Sequence, residues 1–265
     1  MAVSLRSSVA KRRSHLNVAS NIGVNLILIL LNDKKERKLF LPVIMAFLVL
    51  IIVELQLPLL PVLKDTAIEN ILCSESLKNI SSGLLIGLIS AYIFYILIDF
   101  LPRKRREEKT IDLLDSLIAS ILDSYERCRI FGHETAISHV DKSTLNTVWF
   151  DDQISKLKSN NSKFLSLKFA MQTAYTRTED FRHTLPLAVS LSPEHAMQWL
   201  IIIDKVRLMA ESYGEEVNIP KEKQHLVDQD IDENPVRLYK STLNLRFLEI
   251  VEQSKGWHKL TKSGS

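Results

Sequence analysis

The sequence predicts an all-α protein in which a transmembrane helical hairpin precedes an α-helical cytosolic domain. Two observations predict the hairpin: residues 39–63 and residues 80–101 each contain one charged residue, Glu54 and Asp99 respectively. A bilayer core about 30 Å thick needs roughly 20 apolar helical residues, and both stretches are long enough. A third observation predicts the helical domain, because β-branched alternation is nowhere sustained beyond Leu101.

The first 38 residues form a basic segment that we expect to stay in the cytoplasm. They carry eight Lys or Arg residues and two acidic residues, a net charge of +6. The apolar run from Ile22 to Leu31 is too short to span a bilayer. Two interpretations of this segment stay open. It is either held on the membrane surface by anionic lipid, or packed as a helix or strand on the soluble domain.

Charges that flank the two spans predict the orientation of the hairpin. Lysine and arginine resist translocation, and basic clusters lie on the outer flank of each span. The clusters are Lys34, Lys35, Arg37 and Lys38 before the first span, and Arg103, Lys104, Arg105, Arg106 and Lys109 after the second. Both termini are therefore expected in the cytoplasm, with a short external loop over about residues 64–79. Arg103, Lys104, Arg105 and Arg106 are expected at the membrane surface.

Residues 102–262 are predicted to form the cytosolic domain. The domain carries 24 basic and 24 acidic residues, so it lacks the basic excess of a general nucleic-acid-binding domain. Pro102 predicts a bend where the second span ends. An apolar seam at helical spacing then predicts a stalk helix over residues 107–128. The seam consists of Ile111, Leu114, Ile118, Ile121 and Tyr125.

Four further helices are predicted from caps, breakers and apolar spacing. They run from Ser143 to about Leu157, from about Lys163 to Thr184 before Pro186, from the Ser192-Pro193-Glu194 cap to Gly214, and from about Pro235 to Lys255 before Gly256. The cap combines a serine that can accept a backbone hydrogen bond with a proline suited to the first helical turn. Residues 215–234 indicate a charged loop, and residues 263–265 indicate an added linker.

Small residues on the second span predict close helix packing in the membrane. Gly83, Gly87 and Ala91 are spaced at i, i+4 and i+8, which puts them on one helical face. Such a face lets two membrane helices approach closely. The partner helix could lie in the same hairpin or in another protomer, and the sequence does not choose between them.

Glu54 and Gln56 are candidates for a polar lining within the first span. An ionisable side chain inside a bilayer is costly unless it faces protein, water or a partner. Pro58 follows four residues after Glu54 and removes the helical N–H that its carbonyl would accept. The alternative is a shorter span that ends near Val53, with Glu54 in the headgroup region.

Signals for an enzyme are weak. Arg127 and His133 match the loose Arg…His spacing of HEPN-type ribonucleases, in which such a pair could hold a phosphate and move a proton. The usual polar residue after that arginine is replaced by Cys128. Histidine spacing does not suit a zinc helix, the acidic run near Asp228 lacks the glycine of a calcium loop, and no glycine-rich phosphate loop occurs. We therefore expect no catalytic residues, no metal and no cofactor.

Residues 83–109, GLLIGLISAYIFYILIDFLPRKRREEK, resemble a known type of bacterial membrane protein. The chain resembles the two-span effector proteins of bacterial antiphage systems, notably those associated with retrons. For retron effectors the resemblance implies an inner-membrane toxin that a reverse transcriptase with its RNA–DNA hybrid holds in check. It further implies that the released effector oligomerises and permeabilises the membrane.

The sequence therefore allows three functions. The first is an inner-membrane effector that assembles as a homo-oligomer and permeabilises the bilayer when its cytosolic domain is triggered, because two spans are too few to enclose a water path. The second is a membrane-anchored adaptor that recruits cytosolic partners and does not conduct. The third is a membrane-tethered nuclease that uses Arg127 and His133.

Overall fold

The computed structural model describes residues 34–54, 75–128, 135–215, 217–229 and 231–263. Every regular element in these ranges is a helix, which confirms the all-α prediction. The helices are α1 (Lys34–Glu54), α2 (Glu75–Tyr95), α3 (Leu101–Arg127), α4 (Thr147–Lys158), α5 (Phe164–His183), α6 (Leu185–Leu191), α7 (Pro193–Ala210) and α8 (Arg237–Ser263). The chain divides into an N-terminal unit that ends at Arg103 and a C-terminal unit, Lys104–Gly264.

The N-terminal unit contains α1 and α2, which lie side by side. Glu36 near the start of α1 contacts Tyr95 at the end of α2, and Phe40 stacks on Tyr92 with ring centroids 6.2 Å apart. Later residues of α1 therefore contact earlier residues of α2, so the two helices are antiparallel. The predicted first span, residues 39–63, is described only as far as Glu54, and the predicted external loop lies outside the described residues up to residue 74.

A π-helical turn, Ile96–Phe100, joins α2 to α3 where a bend was predicted at Pro102. The backbone N–H of Leu101 donates to the carbonyl of Ile96, five residues back. Proline has no N–H to donate, and its ring collides with the carbonyl four residues before it, here that of Ile98. A wider turn directly before Pro102 relieves this collision, and the helix continues as α3.

The C-terminal unit is built around α3, which differs from the predicted stalk. Ile118 and Ile121 of the predicted seam are buried, but so is every residue from Ser116 to Tyr125, including Asp123. The small residues between the apolar positions allow neighbouring helices to approach on several sides. The segment is therefore the central helix of a core and not a coiled-coil stalk with one apolar seam. Tyr125 stacks on Phe247 of α8 with centroids 4.3 Å apart.

Two boundaries in the middle of the C-terminal unit differ from the prediction. Helix α4 starts at Thr147 and not at Ser143, because Asp141 accepts the Ser143 N–H in a turn and Asn146 provides the cap. The Asn146 side chain accepts the N–H of Trp149 at 2.8 Å. The chain also does not stop being helical at Pro186, since this proline sits in the first turn of the short helix α6.

The three signals predicted for the last two helices have different outcomes. Ser192 caps α7 as predicted, with its Oγ accepting the N–H of His195 at 3.2 Å. Gly214 has the predicted left-handed conformation, φ +91°, but α7 already ends at Ala210, before this glycine. Helix α8, however, runs through Gly256 to Ser263. A Cβ on Gly256 would lie 3.0 Å from the Gln198 side chain of α7, so this glycine permits a close helix contact and does not end the helix.

Candidate membrane helix pair

One helix in the described residues is long and apolar enough to cross a membrane. It is the continuous helical stretch Ser82–Arg127, which starts within α2 and continues through the π-helical turn into α3, and its most apolar 18-residue window has a mean hydropathy of 2.3. Only 11% of that window is buried within the structure. The core helix of a soluble protein is mostly buried, so this helix differs from that class in its surroundings as well as in its composition.

The apolar side chains of the helix pair point outward on both helices. Leu84 and Ile98 are 71% and 72% exposed, and Leu41 of α1 is 65% exposed. Among the described side chains of the N-terminal unit, those that are buried are Glu36, Ala46, Ile96 and Phe100. The pair therefore has almost no apolar core of its own, and its outer surface is largely hydrocarbon.

Gly83, Gly87 and Ala91 form an open face on α2. All three are exposed, and no described atom lies within 4 Å of the position that a Cβ would take on Gly83 or Gly87. The described part of α1 therefore does not pack against this face.

A polar contact at one end of the pair was not predicted. The Glu36 carboxylate, 3% exposed as a residue, accepts a hydrogen bond from the Tyr95 hydroxyl at 2.7 Å and one from the Arg103 guanidinium at 3.2 Å. Arg103 also lies 3.7 Å from Asp99 and over the Phe100 ring. Glu36 is the one acid among the basic residues 34–38, and this isolation is the sequence signal that could have indicated its role.

The predicted surface cations differ in how they are engaged. Arg103 is held by Glu36 and Asp99, and Lys104 lies 3.8 Å from Glu107. Arg105 and Arg106 are exposed, and neither has an ion pair within the part of the chain that the structure describes. The charge of these two side chains is therefore available to an external partner.

Arg127, a candidate for nuclease chemistry, is engaged by protein groups. Its guanidinium lies 2.6 Å from the carboxylate of Asp123 and also donates to the Thr135 hydroxyl. Burial raises the pKa of Asp123, and the adjacent Arg127 charge partly opposes that rise. His133 lies outside the described residues, as does Gln56, and the structure does not describe the side chain of Glu54. Arg127 thus has a structural role that spacing alone did not reveal.

A partly buried polar chain links α7, α8 and α3 in the C-terminal unit. Ser192 Oγ lies 2.8 Å from His195 Nδ1, and the His195 ring meets the Trp257 ring edge-on with centroids 5.4 Å apart. The indole N–H of Trp257 donates to Asp115 at 2.8 Å. Burial lowers the pKa of His195 and of the neighbouring His258, and burial raises the pKa of Asp115.

This polar chain predicts an acid-sensitive C-terminal unit. Both histidine pKa values are lowered in the folded state, so the unfolded chain binds protons first as the pH falls through the ordinary value of 6.5. The stability contributed by neutral His195 and His258 is complete above that value and is lost below it. The midpoint temperature of thermal unfolding, followed by tryptophan fluorescence, is expected to decrease as the pH is lowered from about 7.5 to about 5.5. The double variant His195→Gln, His258→Gln should show a flatter profile, and an unchanged slope would contradict this assignment.

A groove of about 670 Å³ opens on the C-terminal unit beside α5. Its walls are mainly aromatic and aliphatic, with a few polar groups, a composition common in binding sites. They include Phe164, Lys168, Phe169, Gln172, Tyr213 and Ile219. Tyr213 stacks on Tyr175 with centroids 4.1 Å apart, and both rings remain partly exposed.

The described residues contain no cluster of three or more His, Cys, Asp or Glu side chains that could hold a metal ion. Cys128 is a free thiol, and Cys73 lies outside the described ranges. Comparison with known proteins finds no matching family, curated protein or solved structure. The case for function therefore rests on the physical character of the helix pair and of the C-terminal unit.

Proposed function

We propose that the chain is an integral membrane effector that assembles through its helix pair and permeabilises the bilayer when its C-terminal unit is triggered. The observation that carries the proposal is the exposed apolar surface of α1 and α2. Fifteen large apolar side chains of the described N-terminal unit are exposed, and extensive exposed apolar surface is rare in soluble monomers. Hydrocarbon is the solvent in which such a surface is stable.

The two-span topology is part of this proposal. The antiparallel contact between α1 and α2 supports a hairpin, and the basic residues at the start of α1 and beyond Leu101 support a cytoplasmic location for both of its ends. Proposed with it are a location in the bacterial inner membrane and a C-terminal unit in the cytosol.

Assembly follows from the number of helices. Two helices cannot enclose a water path, so permeation requires several copies in one membrane. The open face at Gly83, Gly87 and Ala91 supports an interface between copies, because small residues let helix backbones approach closely. Glu54 and Gln56 are proposed to face the interior of that assembly, where a polar side chain would be solvated.

The Gly83→Leu, Gly87→Leu double variant is expected to lose permeabilisation. Bulk forced into a tight helix interface costs about 1–3 kcal/mol per site, and each 1.4 kcal/mol is about tenfold in an association constant. We therefore expect entry of a membrane-impermeant dye to fall by at least about tenfold at equal amounts of membrane-inserted protein.

The matched control for this variant is Ile86→Phe, Ile93→Phe. Both isoleucines are exposed on α2, 51% and 50%. They lie about 100–120° around the helix from Gly87, at the centre of the small-residue face, so added bulk there mainly contacts lipid. The control should permeabilise like the wild type. Full dye entry by the leucine variant would refute the interface, and equal loss by both variants would show that added bulk disturbs α2 itself.

A non-conducting membrane adaptor is a second candidate, and the groove beside α5 favours it. A groove with aromatic and aliphatic walls, and with Lys168 and Gln172 beside them, could receive a partner. The two functions differ in one measurement. Expression of an adaptor leaves the membrane potential unchanged, whereas expression of the effector collapses it once the trigger is present.

Regulation of the retron type is proposed from the resemblance of residues 83–109. A reverse transcriptase with its RNA–DNA hybrid would hold the effector inactive through the C-terminal unit. Co-expression with a reverse transcriptase from an adjacent gene should then suppress dye entry, and removal of its hybrid should restore it. A neighbouring gene of another class would point to a different trigger.

A further inference from the structure

We propose that Arg105, Arg106 and Lys109 bind the phosphate groups of anionic phospholipids. This inference rests on the proposed function, because it places the first two turns of α3 at a membrane surface. The three side chains are exposed and have no ion pair among the described residues. They follow four to eight residues after Leu101, where the apolar stretch ends.

The three cations form one cluster because of their spacing. Lys109 lies four residues after Arg105 and three after Arg106, and side chains at these separations are neighbours on a helix surface. A guanidinium presents a planar fork of donors that matches two phosphate oxygens, and an ammonium adds a point charge. Two forks and one ammonium suit the phosphodiester of one or two lipid headgroups.

The neighbouring acids leave this cluster largely unneutralised. Glu107 is engaged by Lys104 at 3.8 Å, and Asp112 by Lys142 at 2.6 Å. Glu108 is exposed and is not within ion-pair distance of the three cations. Their positive charge therefore remains available, and an anionic membrane surface attracts cations that lie close to the end of a membrane span.

Nucleic acid is the other phosphate polymer that such a cluster could bind, and the charge distribution argues against it. The chain beyond residue 101 carries equal numbers of basic and acidic residues, so no extended basic surface accompanies the cluster. Nucleic-acid binding of useful affinity normally neutralises several phosphates along a track. Lipid headgroups need only a local cluster at the right depth.

The test uses the full chain in native membrane discs cut from vesicles that mix phosphatidylcholine with phosphatidylglycerol. Mass spectrometry gives the ratio of the two lipids retained with the protein relative to the bulk vesicle. The wild type should enrich phosphatidylglycerol, and high salt should weaken the enrichment. The variant Arg105→Gln, Arg106→Gln, Lys109→Gln should lose most of it, with an expected fall of about fivefold or more.

The matched control is Lys221→Gln, Lys223→Gln, Lys259→Gln. These lysines are exposed, have no ion pair in the described part of the chain, and change the net charge equally. The control should keep the enrichment. Equal loss in both variants, or no enrichment in the wild type, would overturn the inference. A parallel assay measures binding of duplex RNA to the same proteins. If the Arg105→Gln, Arg106→Gln, Lys109→Gln variant lost RNA binding but kept the lipid enrichment, the cluster would be assigned to nucleic acid and the inference would be overturned.

Failure of the proposed function gives a different result from failure of this inference. A chain that does not insert is absent from the discs and is extracted from the vesicles by alkaline carbonate. A chain that inserts, but retains both lipids in the bulk ratio, leaves the membrane effector standing and overturns the lipid site alone.

Discussion

Replacement of Trp257 by alanine is expected to lower the free energy of unfolding of the C-terminal unit by about 3–5 kcal/mol. The side chain is 1% exposed and lies where three helices meet. Its ring contacts Trp199 with centroids 5.2 Å apart and His195 edge-on at 5.4 Å. Alanine would leave a cavity between α7 and α8 and would remove the indole donor from Asp115.

Chemical unfolding of the detergent-solubilised full chain measures this effect. The fluorescence of Trp149 and Trp199 remains as the signal, and both residues belong to the C-terminal unit. Trp257→Phe keeps most of the ring but removes the hydrogen bond to Asp115, so it should cost about 1–3 kcal/mol. Equal costs for the phenylalanine and alanine variants would mean that the hydrogen bond, and not the packing, dominates.

A control on a less buried tryptophan separates packing from loss of any large ring. Trp149 is half-buried, and its indole N–H lies 3.4 Å from the exposed Glu126. Trp149→Ala should therefore cost clearly less than Trp257→Ala. If the two variants were equally destabilised, the junction of α7, α8 and α3 would not be the centre of the core.

Capping residues predicted the helices of the C-terminal unit well where a single side chain determines the start of a helix. Ser192 caps α7 because its hydroxyl can reach the first free N–H groups, and that chemistry is local. The prediction from Gly256 was wrong because this glycine serves a tertiary contact between helices and not a local turn. The absence of a side chain lets Gln198 of α7 approach, and the sequence around Gly256 does not indicate that α7 packs there.

The same distinction explains which candidate residues could be predicted. The apolar stretch of α2 and its small-residue face follow from composition and spacing alone. The contact of Glu36 with Tyr95 and Arg103 joins residues 59 and 67 positions apart, so its pairing needed the antiparallel arrangement of α1 and α2. The partner of Arg127 was local, at i−4, but its burial depends on the helices packed around α3.

Arg127→Ala is expected to destabilise the C-terminal unit by about 2–3 kcal/mol. Removal of one partner of a buried ion pair leaves the other charge without compensation, and the Asp123 side chain is 4% exposed. The Arg127 side chain is 28% exposed, so solvent screening reduces the cost below that of a fully buried pair. Thr135 also loses the donor that ties it to α3. Chemical unfolding of the full chain measures the loss.

A second substitution separates a structural arginine from a catalytic one. Asp123→Asn, added to Arg127→Ala, removes the stranded carboxylate and should restore about 1 kcal/mol or more, since neighbouring changes in one ion pair are not additive. If the proposed effector is toxic on expression and Arg127 acts through the fold, toxicity should recover with stability. A nuclease would instead stay inactive in the double variant, and His133→Ala would abolish toxicity without any change in stability. Toxicity that survives His133→Ala and follows the unfolding free energy across the Arg127 variants would exclude the nuclease and leave Arg127 as a support for the core around α3.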